Sequence, residues 1–129
     1  MSIFGLNWLA VLAAVIVNMV LGFFWYGRLF GKAWVEEIKV EEGELTQSPS
    51  MFIVPIISFI VGAIVLWNVS QALGLSAAVT AFWVWLGFVA LTSYTNDLYE
   101  GRSFRLWAIQ NVNHLVGLTI TGLLLDLLG

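Results

Sequence analysis

Four polar side chains follow one another in a short segment near the end of the chain. Gln110, Asn111, Asn113 and His114 lie in QNVNHLVGL, which is followed directly by the apolar TITGLLLDLLG. An imidazole can serve as a base, a proton switch or a metal ligand. Side-chain amides bind solutes or neighbouring helices through hydrogen bonds. The role of these residues depends on what surrounds them.

Enzymatic chemistry is not indicated around these residues. The sequence contains no acid pair, Ser-His-Asp arrangement, phosphate loop or metal motif. It has no cysteine, which excludes thiolate metal sites and Cys nucleophiles. One histidine without a second ligand is weak support for a metal, although two copies of His114 across a dimer could ligate haem. We therefore predict no enzyme, no catalytic residue, no metal and no cofactor.

The composition places the chain in a lipid bilayer. Of its 129 residues, 60% are hydrophobic and 10% are charged, against about 45–50% and about 25% in soluble domains. The mean hydropathy is +0.94. A soluble domain of this size has too little interior to bury so much apolar surface. The net charge of −3 arises mostly from one acidic stretch, so we predict no nucleic-acid partner.

Four apolar segments are long enough to cross a hydrocarbon core about 30 Å thick. We predict that residues 1–129 form a single transmembrane domain, with spans at about 7–26, 51–70, 77–96 and 106–126. The segment 27–50 is predicted to be an acidic cytoplasmic loop. Short links favour antiparallel neighbours, so the predicted fold is an all-α integral membrane protein with four helices in an up-down bundle.

The basic residues predict the orientation of this bundle. Arg28, Lys32 and Lys39 lie in the first connection, and Arg102 and Arg105 lie in the third. All five therefore fall on one side of the membrane. The positive-inside rule makes that side cytoplasmic and places both termini outside.

Helix rise then gives the depth of each intramembrane polar residue. His114 lies eight residues after Leu106, about 12 Å along its helix. Asn18 lies eight residues before Tyr26, and Ser58 lies seven after Met51, at a similar depth. Polar side chains in hydrocarbon normally face protein or water. We therefore predict that they converge in an intramembrane polar cluster, which consists of Asn18, Ser58, Gln110, Asn111 and His114.

A second group of residues lies where the first helix leaves the membrane, in WYGRLFGKAW. Arginine and lysine can reach lipid phosphates while aromatic rings stay at the boundary, so a lipid-anchored elbow is the simplest interpretation. A headgroup or anion site formed with Arg102 and Arg105 is the alternative. The predicted cytoplasmic interface motif consists of Trp25, Tyr26, Arg28, Lys32, Glu100 and Arg102.

Two stretches, NWLAVLAAVIVNMVLGFFWYGRLFGKAW and YEGRSFRLWAIQNVNHLVGLTITG, resemble a small bacterial membrane family catalogued as domain of unknown function 1761 (DUF1761). The resemblance is carried by Asn7, Trp8, Trp25, Tyr26, Phe30, Gly31, Lys32, Trp34, Glu100, Gly101, Arg102, His114 and Leu115. It implies a four-span membrane protein with no established activity. A multi-pass protein of the bacterial cytoplasmic (inner) membrane is the expected localisation.

Two classes of function fit these residues. In the first, the polar residues hydrogen-bond helices to one another, with a neutral His114 packed against Asn18 and Ser58. The protein is then a structural or interaction protein that forms a homo-oligomer, and a dimer is favoured because two-fold pairs are the commonest assembly. In the second, the same residues line a path, and the chain is a small-solute transporter or channel subunit. The lipid bilayer is the partner common to both, and the sequence does not identify a small-molecule ligand.

Overall fold

The protein is represented by a computed structural model that describes residues 7–38 and 49–128. Within these ranges the regular elements are all helices. Four are long and apolar enough to cross a membrane: span 1 (Trp8–Leu29), span 2 (Phe52–Leu73), span 3 (Ala77–Glu100) and span 4 (Phe104–Leu128). The shortest has 22 residues, about 33 Å of helix, which exceeds a hydrocarbon core of about 30 Å. The chain is an all-α integral membrane protein, as predicted.

Glycines end two of the spans and make the short turns of the up-down bundle. Gly74 and Gly101 have φ values of 69° and 72°, a left-handed conformation that other residues resist and that commonly ends helices. After Gly101, the backbone N–H of Arg102 donates to Asp97 O at 2.9 Å. The first connection is different, because it begins with a short helix, Gly31–Ile38. Residues 39–48 of the predicted acidic loop, including Lys39, lie outside the described residues.

The two ends of the bundle differ in charge. One, here called the basic end, carries Arg28, Lys32, Arg102 and Arg105. The other, the terminal end, carries Asn7, Gly74 and Leu128. Asn7 caps span 1 by accepting from Leu9 N at 2.9 Å, and its Nδ2 donates to Leu128 O at 2.9 Å. This pair of bonds joins the first and last turns of the membrane domain.

A cluster of buried hydrophobic residues also lies at the terminal end. Ala10, Leu66, Ala77, Ala81 and Leu125 form this cluster and are at most 3% exposed. Small side chains let helices approach closely in membranes.

Span 4 packs tightly against the start of span 3 at this end. Asp126 accepts hydrogen bonds from the backbone N–H of Ala77 at 2.7 Å and of Ala78 at 3.1 Å. A Cβ on Gly122 would lie 2.7 Å from the Ala77 carbonyl carbon and oxygen. A carboxylate from one helix thus caps the positive N-terminus of another, at a contact that only glycine permits.

Span 2 packs mainly through the half that lies near the terminal end. Its buried residues, Ala63, Leu66 and Ser70, all lie there. Near the basic end, Phe52 and Val54 are more than half exposed, and Pro55 lacks the N–H that a helix bond requires. The bundle is therefore closed at the terminal end and less tightly filled toward the basic end, where cavities occur.

Three tryptophans connect the helices through their indole N–H groups. Trp25 donates to Ile109 O and Trp85 to Asn111 O, both at 2.8 Å, and Trp107 donates to Ala90 O at 3.1 Å. Trp25 and Trp85 also begin the π-helical segments Trp25–Leu29 and Trp85–Ala90. These bonds hold span 4 in one rotational position against spans 1 and 3.

Candidate functional site

The first polar contact inside the bundle joins spans 1 and 4. Asn18 is 7% exposed, and its Nδ2 donates to Ala14 O at 2.8 Å and to Thr121 Oγ1 at 2.9 Å. Thr121 in turn donates to Gly117 O at 2.9 Å. A Cβ at position 117 would collide with Asn18 Oδ1. Gly117 therefore leaves the space that the asparagine needs between the two helices.

The second polar contact joins spans 3 and 4. Asn111 is 2% exposed, and its Nδ2 donates to Trp107 O at 2.9 Å and to Ser93 Oγ at 3.1 Å. Its carbonyl oxygen accepts the indole N–H of Trp85. Asn111 therefore bonds to span 3 through both its side chain and its backbone.

Asn113 and His114 are arranged differently from these two asparagines. Asn18 gives both of its amide hydrogens to Ala14 and Thr121, so neither reaches His114. The Asn113 side chain lies beside the Tyr26 phenol, and among the described residues its Oδ1 is buried with no hydrogen-bond partner. Both Asn113 and His114 line cavities. Of the predicted cluster, Asn18 and Asn111 thus bond one helix to another, and Asn18 and His114 line cavities.

All four spans contribute to a central cavity of about 280 Å³, here called the four-span cavity. Asn18, Ser58 and His114, for which helix rise gives a similar depth, all line this cavity. The other lining residues are Phe59, Gly62, Ala63, Val89, Leu118 and Thr121. Its wall is mostly apolar, with a few hydroxyl, amide and imidazole groups.

A second cavity, of about 420 Å³, adjoins the first toward the basic end and is here called the side cavity. The two share Asn18, Phe59 and His114. Spans 1, 2 and 4 line the side cavity, which also contains Met19, Gly22, Phe23, Tyr26, Phe52, Pro55 and Asn113. The two adjoining cavities are together called the amphipathic space, because their walls combine aromatic rings with polar side chains.

A third space, the polar groove, lies between spans 3 and 4 and measures about 460 Å³. It is lined by Phe88, Val89, Thr92, Ser93, Asn96, Asp97, Glu100, Arg102, Gln110, Asn111 and His114. Gln110 and Asn111, predicted to belong to the intramembrane cluster, thus face this groove and not the four-span cavity. His114 lines all three spaces.

Asp97 was not among the residues predicted from the sequence, because it lies just beyond the predicted third span. It is only 6% exposed, and within the described chain its Oδ2 is buried without a hydrogen-bond partner. The available signal was the polar stripe Thr92, Ser93, Asn96, Asp97 and Glu100, whose spacing of three and four residues defines one helix face.

The predicted interface motif does not form one site. Trp25 bonds inward to span 4, and Tyr26 lines the side cavity, whereas Arg28 and Lys32 are exposed. Glu100 pairs with Arg102 at 2.8 Å. Arg105 lies 3.9 Å from Glu36. Two of the cations proposed for an anion site thus already have acidic partners.

The residues in the cavities are suited to binding. Among the described residues, no three His, Asp or Glu side chains are grouped so as to hold a metal ion. The groups that face the cavities, from Tyr26, Asn113, His114 and Ser58, donate and accept hydrogen bonds.

The sequence profile of the family described as protein of unknown function (DUF1761) matches residues 9–125. The chain belongs to the DUF1761 family. The matched region includes every residue that lines the four-span cavity, the side cavity and the polar groove. No curated protein and no solved structure matches the chain significantly. The family match therefore supports the predicted membership, while its description assigns no activity.

Proposed function

We propose that this DUF1761 protein binds a small amphiphilic solute inside the membrane, without catalysis, as a solute-binding protein or transporter subunit. The supporting observation is the amphipathic space formed by the four-span cavity and the side cavity. All four helices line the four-span cavity, and the adjoining side cavity has a buried amide oxygen with no partner among the described residues. A buried acceptor without a donor is costly, so a ligand that donates a hydrogen bond gains affinity there.

The walls indicate the chemical class of the solute. Phe23, Phe52 and Phe59 provide apolar surface, while Tyr26 and Asn113 provide polar groups. The volume of the side cavity, about 420 Å³, lies within the range of about 300–1,000 Å³ that is usual for small-molecule sites. Because span 2 is loosely packed near the basic end, a solute of mixed polarity can enter laterally from the lipid.

Filling the cavity tests this proposal. A Cβ on Gly62 or on Gly87 would meet nothing within 4 Å. Of these two glycines, only Gly62 lines the four-span cavity. Gly62→Leu should therefore displace the bound solute, and Gly87→Leu is the matched control because the same side chain is added outside the site. Native mass spectrometry of protein extracted in mild detergent measures the bound mass directly.

We expect the parent and Gly87→Leu to carry the same additional small-molecule mass, and Gly62→Leu to have lost at least about nine tenths of it. Without bound solute, Gly62→Leu and the parent should unfold at nearly the same temperature. A parent protein with no bound small molecule, or equal occupancy in Gly62→Leu, contradicts the proposal.

We further propose that the protein forms a homodimer, the assembly that the sequence analysis favours. The polar groove supports it, because Thr92, Asn96 and His114 are exposed there within the membrane-spanning helices. Polar groups that face hydrocarbon are costly, and a second copy packed over the groove would shield them. Thr92→Leu should shift the assembly toward the 14.3 kDa monomer, whereas Thr95→Leu, an exposed residue outside the groove, should not. Mass measurement that finds only monomer in lipid nanodiscs refutes this assembly.

The proposed orientation places the basic end in the cytoplasm of a bacterium, with both termini outside the inner membrane. The chain has no cysteine, so single cysteines report accessibility without background. Glu36→Cys should be protected from an impermeant thiol reagent in intact cells, and Leu75→Cys should be labelled. The reverse pattern would invert the topology.

A further inference from the structure

The polar groove holds a buried carboxylate that no proposed contact with an amphiphilic solute uses. Asp97 is 6% exposed and lines the groove. Its Oδ2 has no hydrogen-bond donor among the described residues. A buried carboxylate oxygen requires a donor or a positive charge, because removal from water is otherwise strongly unfavourable. Asp97 Oδ2 therefore favours a hydrogen-bond donor or a cation beside it.

The neighbouring charges leave Asp97 as the source of a net negative charge. Glu100 and Arg102 also line the groove, but they pair with each other at 2.8 Å, so their charges largely cancel. The backbone N–H of Arg102 is engaged with the Asp97 carbonyl oxygen at 2.9 Å. The groove thus combines one net negative charge with neutral polar walls.

The neutral walls supply oxygen atoms of the type that bind hard cations. Ser93, Asn96 and Gln110 line the groove together with Asp97. Ser93 is held in place because its Oγ accepts a hydrogen bond from Asn111 Nδ2 at 3.1 Å, and Asn111 is itself 2% exposed. Hydroxyl and amide oxygens coordinate alkali-metal ions and also accept hydrogen bonds from ammonium groups.

The number of acidic groups limits the charge of the occupant. In the described part of the chain, no three His, Asp or Glu side chains are grouped to hold a metal. A site with one uncompensated carboxylate balances a single positive charge, whereas divalent ions are usually bound through several charged ligands. We infer that the polar groove binds a singly charged cation, an alkali-metal ion or the ammonium group of an amine, with the Asp97 carboxylate as its counter-charge.

Cation-dependent stability of the purified protein tests this inference. Thermal unfolding in detergent is measured in sodium, potassium or ethylammonium chloride, with N-methylglucamine chloride as the bulky reference at the same ionic strength. A cation that binds the folded state should raise the unfolding midpoint by on the order of 10 °C when its concentration is about a hundred times its dissociation constant. Asp97→Asn should abolish the rise. Glu36→Gln, the same charge change at an exposed position outside the groove, should retain it.

Two further variants make the result specific to the groove. Gln110→Ala keeps the carboxylate and should reduce the affinity for the cation about tenfold, which also covers the case in which Asp97→Asn does not fold. Gly62→Leu fills the four-span cavity and should leave the cation response unchanged, so the failure of this inference can be distinguished from the failure of the solute proposal.

The arms of the experiment separate the sources of positive charge. If the unfolding midpoint rises only in sodium or potassium chloride, the bound cation is an alkali-metal ion. If it rises only in ethylammonium chloride, the bound cation is an amine. The inference is overturned if no monovalent cation raises the midpoint, if Asp97→Asn responds like the parent, or if calcium raises it more than every monovalent cation.

Discussion

Gly122→Ala should separate spans 3 and 4 at the terminal end. The added Cβ would lie 2.7 Å from the Ala77 carbonyl carbon and oxygen and from the Ala78 Cα. Favourable carbon contacts begin near about 3.5 Å, so the helices must separate by about 0.8 Å. All three obstructing atoms belong to the backbone, and no change of side-chain rotamer can relieve the contact.

The free energy of unfolding should fall by about 2 kcal/mol. Overpacking of a close contact costs about 1–3 kcal/mol, and the same movement lengthens the bonds from Ala77 N and Ala78 N to Asp126, now 2.7 and 3.1 Å. A helix cap of this kind contributes about 1 kcal/mol. Alanine offsets part of the loss, because its helix propensity exceeds that of glycine by up to about 1 kcal/mol.

Gly87→Ala is the matched control, because a Cβ there would meet nothing within 4 Å. It should be neutral or stabilising by up to about 1 kcal/mol. Thermal unfolding in detergent, followed by far-UV circular dichroism, should therefore place the two midpoints on the order of 10 °C apart. Equal midpoints would refute the claim that the contact at Gly122 limits how closely these helices pack.

Three other substitutions test the interior contacts. Trp85→Phe should lower the free energy of unfolding by about 1 kcal/mol, because it leaves the Asn111 carbonyl without its indole donor. The control Trp83→Phe, at a residue 59% exposed, should change it by less than about 0.5 kcal/mol. Equal effects of the two variants on thermal unfolding would contradict the role of this hydrogen bond. Gly117→Ala should destabilise by about 1–2 kcal/mol, and most of that loss should disappear in the Asn18→Ala background, because the clash is with Asn18 Oδ1; a double-mutant cycle with no coupling would exclude this clash. His114→Leu should alter stability by no more than about 0.5 kcal/mol, since the imidazole lines cavities; a loss well above 1 kcal/mol on thermal unfolding would restore the helix-joining role first predicted from the sequence.

Local features of the sequence were sufficient to predict the membrane fold. The length and hydropathy of the four segments predict the spans, because a helix must satisfy its own backbone hydrogen bonds throughout the hydrocarbon. The glycines at 74 and 101 occur where the chain turns, and both have positive φ. Helix rise alone predicts a common depth for Asn18, Ser58 and His114, and all three line the four-span cavity.

The rotation of each helix was decided only by the tertiary structure. In a soluble protein the apolar stripe of a helix identifies its buried face, but in a bilayer the lipid-facing and protein-facing sides are equally apolar. Trp83 and Trp85 are both tryptophans and lie two positions apart, yet Trp83 is 59% exposed and Trp85 is 8% exposed. Their difference arises from packing against span 4, where the Asn111 carbonyl oxygen accepts the bond from Trp85.

The same limit explains the division among the polar residues. From the sequence, Asn111 and Asn113 are equivalent amides in one helix, and Asp97 is an acid near a helix end. Packing buries Asn111, whose side chain bonds to Ser93. Asn113 Oδ1 and Asp97 Oδ2 are also buried, but neither oxygen has a hydrogen-bond partner among the described residues. The sequence determined which polar groups lie in the four spans and how far along each helix they are. Whether each one meets a partner or a cavity depended on atoms far away in the chain, because hydrogen bonds between helices require a direction that depth does not specify.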